Sequence, residues 1–170
     1  TTSSGQGHET LVSTVIGEVL GIDPDSIRVV RPNSLESLPG NSPVGSRMAI
    51  MLGGAAARSA EKLKAKIIAI AAHQLQCDAA SIHYQGGHML SADGRQISWD
   101  DIIELAHRQI HGLPDGMDPG LASFDIMQVP TGGDLPKDGK VHMYPCYSFE
   151  FHLVLVEFDP IIGKPEIRSY

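Results

Sequence analysis

Apolar residues recur at helical spacing from the first turn of the chain. Leu11, Val15 and Val19, widened by Val12 and Ile16, form one stripe that predicts a helix over residues 9–20, with Gly21 as its stop. Asp23-Pro24-Asp25-Ser26 predicts a turn, and Ile27-Arg28-Val29-Val30 a short strand. A loop rich in Pro, Ser, Asn and Gly follows over 31–45, and then the longest helical pattern, 46–76. Ala60, Leu63, Ile67, Ile70 and Gln74 share one face of that pattern, and Lys62, Lys64 and Lys66 read as a mostly solvated surface.

The first half of the same pattern is made of small residues, Ala49, Gly53, Gly54, Ala55, Ala56 and Ala57. Two successive glycines cost about 1 kcal/mol each in a helix interior. They point to a close approach by another backbone or a ligand, and plain helix packing is the simpler account. Residues 81–98 predict a hairpin, with Ile82 and Tyr84 before a tight turn at Ala92-Asp93-Gly94 and Gln96 and Ile97 after it. Ser98 and Asp101 have capping-box spacing ahead of Ile102, Ile103, Leu105, Ala106 and Ile110, a helix that Gly112 and Pro114 end.

The stretch 113–140 is irregular, with Pro114, Pro119, Pro130 and Pro136, and a loop of that length suggests function or mobility. Residues 147–158 give the clearest strand, with Phe149, Phe151, Leu153 and Leu155 facing one way and Glu150 and His152 the other. Val154 and Val156 make its far end apolar on both faces, as in a strand covered on two sides. Residues 159–163 turn the chain into a last strand. The expected class is α+β, a mixed sheet with packed helices. A chain of 170 residues suits one domain, or a piece of a larger one. Both ends read as cut, so residues 1–170 are expected to be a single incomplete segment.

Composition narrows the partners. The net charge of -7, with no cluster of Lys and Arg on the scale of a binding patch, argues against nucleic acid and anionic membranes. The longest uncharged apolar run, 67–72, is too short to span a bilayer. Cys77 and Cys146 form no CxxC and read as free thiols of a reducing cytosol. His107 and His111, four apart in the predicted helix, share a face but lack a third ligand; His142 and the remaining histidines stand alone.

Two stretches could carry chemistry. Gly5-Gln6-Gly7 precedes a helix: its glycines let backbone come close to a ligand, the helix start offers free N–H groups, and Gln6 supplies a donor and an acceptor. Ser42-Pro43-Val44-Gly45-Ser46-Arg47 opens the second helix with N–H groups, a hydroxyl and a guanidinium fork. Either could equally be an ordinary helix start, with Ser46 a simple N-cap and Arg47 a surface side chain.

Taken in order, Ser4-Gly5-Gln6-Gly7-His8-Glu9-Thr10, the segment 21–30, Pro43-Val44-Gly45-Ser46-Arg47 and the 149–167 hairpin resemble the molybdenum-cofactor-binding subunit of the xanthine dehydrogenase/aldehyde oxidase (molybdenum hydroxylase) family. The resemblance is weakest over 88–140. It implies a molybdenum–molybdopterin cofactor, often a cytosine dinucleotide in bacteria, held in part by Gly5, Gln6, Gly7, His8, Val44, Gly45, Ser46 and Arg47. It also implies oxidative hydroxylation of an aldehyde, an N-heterocycle or a similar small substrate in the cytoplasm. Partners would be the rest of the molybdenum subunit and iron–sulfur and FAD domains or subunits. The family's catalytic Glu matches no residue here, so the segment alone is expected to be inactive. The alternative is a non-catalytic module that keeps the fold for assembly or packing.

Overall fold

The computed structural model describes residues 3–30, 33, 35, 43–85, 87–128, 138–140, 147 and 149–170. Ser42, Pro130, Pro136, His142 and Cys146 lie outside the described residues, as does most of the 31–45 loop.

Helix α1 spans His8–Leu20 and begins and ends on left-handed glycines, Gly7 at φ 72° and Gly21 at φ 61°. Past Gly21 the chain folds back through a 3₁₀ turn, Pro24–Ser26, whose start is capped by the Asp23 carboxylate accepting from Asp25 N at 2.9 Å. Residues 27–30, half-buried and exposed in alternation, join no ladder among the described residues, so the strand expected there is not formed among them.

Helix α2, Met48–Leu75, is 28 residues long, roughly 42 Å at 1.5 Å per residue. Leu11 of α1 packs on Gly53, whose missing Cβ would stand 3.6 Å from Leu11 Cδ1. Eleven residues further along α2, Lys64 Nζ donates to Val19 O at 3.0 Å. The order of these two contacts means that α1 and α2 run parallel. Gly54, on the neighbouring face, meets Met127 instead. Both glycines thus serve packing.

The second half of α2 makes the core. Ile67, Ile70, Ala71, Ala72 and Leu75 pack with Ile82, Met89, Ile102, Leu105, Ala106 and Leu113. Ile67, Ile70, Met89 and Ile102 are fully enclosed, each stabilising the fold by about 1.5–3 kcal/mol through burial. Where one hairpin was expected, the chain builds a three-stranded antiparallel meander: β1 His83–Gln85, β2 His88–Leu90 and β3 Gln96–Ser98. Met89 sits between Tyr84 and Ile97 in the register and plugs the core. The 92–94 turn therefore joins β2 to β3, closed by Ser91 N donating to Arg95 O at 2.8 Å, with Gly94 at φ 87°.

Helix α3, Trp99–His107, opens on the expected capping box. Ser98 N and Oγ donate to Asp101 Oδ2 at 3.1 and 2.6 Å, and Asp101 N donates to Ser98 Oγ at 3.2 Å. A 3₁₀ turn, Ile110–Gly112, follows.

Residues 118–128 form a strap laid antiparallel along α2. Lys66 Nζ donates to Asp118 O at 2.7 Å and Gly120 O at 2.6 Å, and Lys62 Nζ to Phe124 O at 3.2 Å. Asp125, its side chain 3% exposed, is ion-paired with Lys62 at 2.5 Å and Arg58 at 3.3 Å. Ser123 Oγ donates to Ser59 O at 2.7 Å. Lys64 and Lys66 are thus half-buried rather than solvated and Lys62 stays exposed; all three reach backbone carbonyls, and Lys64 also lies 4.8 Å from the centre of the Tyr84 ring.

The final hairpin pairs β4 Leu155–Asp159 with β5 Lys164–Ser169 around the expected turn, with Gly163 at φ 68°. Of the strand expected over 147–158, only the part from Leu155 joins a ladder among the described residues, and every residue from 149 to 170 is exposed rather than covered on two sides. Among the described residues the class is α+β, helices with two small sheets, both antiparallel.

Candidate functional site

The parallel seam decides where the two glycine loops lie. Leu11 is three residues into α1 and Gly53 five residues into α2. At 1.5 Å per residue the two helix starts are offset by only about 3 Å along the axis. Gly5-Gln6-Gly7-His8 and Val44-Gly45-Ser46-Arg47 therefore stand at the same end of one helix pair.

Antiparallel neighbours would cancel their dipoles; parallel, flush helices add them, close to one positive charge at the shared end. Neither start is capped by a side chain among the described residues, whereas Asp23, Asp78 and Ser98 cap other helical starts in this chain. The first turn of α1 holds one carboxylate, Glu9, and that of α2 holds none. The end is thus electropositive in a molecule of net charge -7, and rich in N–H groups.

Local geometry fits a ligand at this end. Gly5 and Gly7 have φ of 100° and 72°, and a Cβ on either would meet nothing within 4 Å, so the loop leaves open space. Gln6 Oε1 accepts from Ser4 N at 2.5 Å, a bond in which the amide NH₂ takes no part. In the second loop Gly45 lies at φ 75° and Ser46 at φ 50°, a left-handed angle that costs a residue with a Cβ about 1–2 kcal/mol. Arg47, the N-cap, returns to φ -101°. Such an alternation of hand turns successive N–H groups toward one concavity that suits an anion. His8, in the first turn of α1, is 7% exposed, and among the described residues its Nδ1 has no hydrogen-bond partner. Helical side chains lean toward the N-terminus, which brings this polar atom toward the shared end.

The other candidate separates. His107 closes α3 and His111 sits in the 3₁₀ turn beyond it, so the two do not share a helical face. Among the described residues no three His, Cys, Asp or Glu side chains gather in a way that could hold a metal ion. Shifted titrations lie elsewhere. Burial pushes the Tyr84 phenol up, the Lys62 bond holds Asp125 below the usual carboxylate range, and Ser98 does the same for Asp101.

Sequence reasoning missed three things: the left-handed Ser46, the burial of His8 and the strap. Only the strap left a signal, since Arg58, Lys62 and Lys66 recur every four residues and make a basic ridge on α2.

The model of the molybdopterin cofactor-binding domain matches residues 1–170. The chain belongs to this family. It is 29% identical over 169 residues to the nicotine 6-hydroxylase large subunit of Paenarthrobacter nicotinovorans, covering 98% of this chain and 19% of that protein. It is 32% identical over 170 residues to the carbon monoxide dehydrogenase large chain of Afipia carboxidovorans, covering 100% of this chain and 19% of that one. Among solved structures, the molybdopterin-binding fold resembles a Cu,Mo-CO dehydrogenase with a TM-score of 0.67 and 28% identity, over 76% of this chain and 16% of the other. It also resembles quinoline 2-oxidoreductase from Pseudomonas putida 86, with a TM-score of 0.61 and 26% identity, over 72% of this chain and 16% of the other. The chain spans about a fifth of the length of the curated relatives it matches. The family resemblance carried by the loop motifs holds. Among the described residues, no helix of this molybdopterin-binding domain is long and apolar enough to cross a membrane.

Proposed function

We propose that this domain forms part of the pterin cradle in the large subunit of a molybdenum hydroxylase of the xanthine dehydrogenase/aldehyde oxidase kind. The observation that carries the reading is the flush, parallel start of α1 and α2, uncapped by side chains and flanked by the two glycine loops. Each residue has a task its chemistry suits. Gly5 and Gly7 let the first loop lie against a flat ligand. Gln6 offers an amide donor to a heterocycle or an oxo group. The buried His8 Nδ1 seeks a partner at the same end. Val44 and Gly45 shape the second loop, and Ser46 and Arg47 bring a hydroxyl and a planar guanidinium to a phosphate. The residues present fit an anionic, ring-bearing cofactor.

When bound, the molybdenum cofactor supplies the two-electron oxidation chemistry. The chain's own part is binding and orientation, and the resemblance assigns no catalytic residue to it. The dinucleotide form of the cofactor, with a second phosphate, suits a cradle made from two helix starts. Electrons would leave to iron–sulfur and FAD centres on other domains or subunits, in a cytoplasmic enzyme. The relatives named for nicotine and quinoline favour an N-heterocycle as substrate; aldehydes remain the other family choice.

The test uses the full-length protein that contains this chain. Metal analysis and pterin fluorescence should find molybdenum and pterin in it. Gln6→Ala and Arg47→Ala should lower that content while leaving the unfolding midpoint near the parent's, each lost charge-assisted contact costing about 1.5–3 kcal/mol. A folded protein without metal or pterin, or full cofactor content in both variants, ends the reading.

A further inference from the structure

The strap climbs α2 toward the end where the cofactor would sit. Its contacts step along the helix in order: Asp118 and Gly120 at Lys66, Phe124 and Asp125 at Lys62 and Arg58, then Met127 at Gly54, where a Cβ would lie 3.1 Å from Met127 Cγ. Gly54 is six residues past Met48, about 9 Å along the axis. One further extended residue brings the exposed Gln128 to roughly 6 Å from the start of α2, within reach of its own side chain. A Cβ at Gly54 would press on the Met127 side chain at 3.1 Å, so the glycine makes room for Met127 against the helix.

Asp125 sets the strap's height. It is the inward acidic residue of the strap, and Lys62 and Arg58, one helical turn apart, hold it from two sides. Its neighbours Phe124 and Ile126 are exposed, so the segment is held there by the ion pairs together with the Lys62–Phe124 and Ser123–Ser59 bonds and Met127 at Gly54. The end it approaches carries an independent mark of a ligand, the enclosed and unpartnered Nδ1 of His8.

We propose that the 118–128 strap is a third element of the cofactor cradle, with Gln128 presented to the cofactor and Asp125 acting as its positioning residue. The proposal rests on the reading of this end as the molybdopterin site. Gln128 adds a further acceptor oxygen beside the N–H donors of the two helix starts, suited to the exchangeable N–H groups of a pterin. No covalent step is involved.

The experiment measures cofactor release from the full-length holoprotein after dilution, by pterin fluorescence and molybdenum content of the retained protein. Unfolding midpoints are followed in parallel. Gln128→Ala should speed release about threefold to tenfold, the range for one neutral hydrogen bond, with an unchanged midpoint. Asp125→Asn should speed release to the same extent, with a lower midpoint at neutral pH because its ion pairs are lost, add little to release on the Gln128→Ala background, and be largely rescued by Asp125→Glu. Arg47→Ala is the control for the underlying reading. If Arg47→Ala speeds release and Gln128→Ala does not, the strap proposal is overturned and the site stands. If neither changes release, the site itself is wrong and the proposal falls with it. Additive effects of Asp125→Asn and Gln128→Ala would remove Asp125 from the positioning role.

Discussion

Two glycines inside helices, replaced by the same residue, should move stability in opposite directions. Gly53→Ala adds a methyl that meets Leu11 carbons at 3.6–4.0 Å, ordinary contact, on a buried helix face. It gains about 1 kcal/mol of helix propensity and up to about 0.8 kcal/mol for the buried methyl. Gly17→Ala gains the same propensity. Its methyl, however, falls 2.9 Å from Ile22 O and 2.9 Å from Pro24 Cγ, where the chain folds back over α1. A backbone carbonyl that itself follows the Gly21 turn cannot step aside like a side chain, and such overpacking costs about 1–3 kcal/mol. The net is a gain of about 1–2 kcal/mol for Gly53→Ala and a loss of about 1 kcal/mol for Gly17→Ala. Urea unfolding followed by far-ultraviolet dichroism and by the single tryptophan, Trp99, measures both. With a slope of about 1–3 kcal/mol per molar, the two midpoints should differ by about 1 M. Midpoints shifted together in one direction would refute the neighbour argument and leave propensity alone in charge.

Other outcomes follow from single contacts. Ser98→Ala removes the hydroxyl half of the capping box and should cost about 1 kcal/mol, read as a lower urea midpoint with early loss of α3. Ile67→Ala, at a fully enclosed site, should cost about 2–5 kcal/mol in the same assay. The Asp125 carboxyl titrates below its usual value because of Lys62, so its stabilisation is complete above the ordinary carboxylate range and lost as pH falls beneath it. Asp125→Asn should therefore flatten the acid limb of a stability–pH curve below about pH 4. Tyr84 is raised by burial, so its contribution is complete below the ordinary phenol value of 10.0 and lost as pH rises past it. Tyr84→Phe should flatten the alkaline limb, and an unchanged limb would show that the ring is not shielded.

The legibility of this fold in its sequence follows a physical division. Local chemistry read through: the Gly21 stop, the Ser98–Asp101 box, the 92–94 and 159–163 turns and both long helices lie where pattern and capping put them, within two residues. What failed depended on partners far along the chain. Ile27–Val30 has strand composition but, among the described residues, no neighbouring strand to pair with. His88-Met89-Leu90 is too short to announce β2, and only the enclosed Met89 shows why it is there. Lys66 reads as solvated because its acceptors lie more than 50 residues away. For the candidate site, the two loops could be named from their residues. That they share an end could not, because it depends on α1 and α2 being parallel, and no local pattern encodes the direction of one helix against another.

The terminal hairpin carries a consequence for how this chain behaves in solution. Phe149, Phe151 and Leu153 in the segment before β4, and Ile161, Ile162 and Ile167 of the two-stranded hairpin, are exposed, and a two-stranded hairpin is marginal by itself. So large an exposed apolar surface on a marginal hairpin favours self-association of this chain. Light scattering per unit mass of the 170-residue chain should accordingly rise with protein concentration.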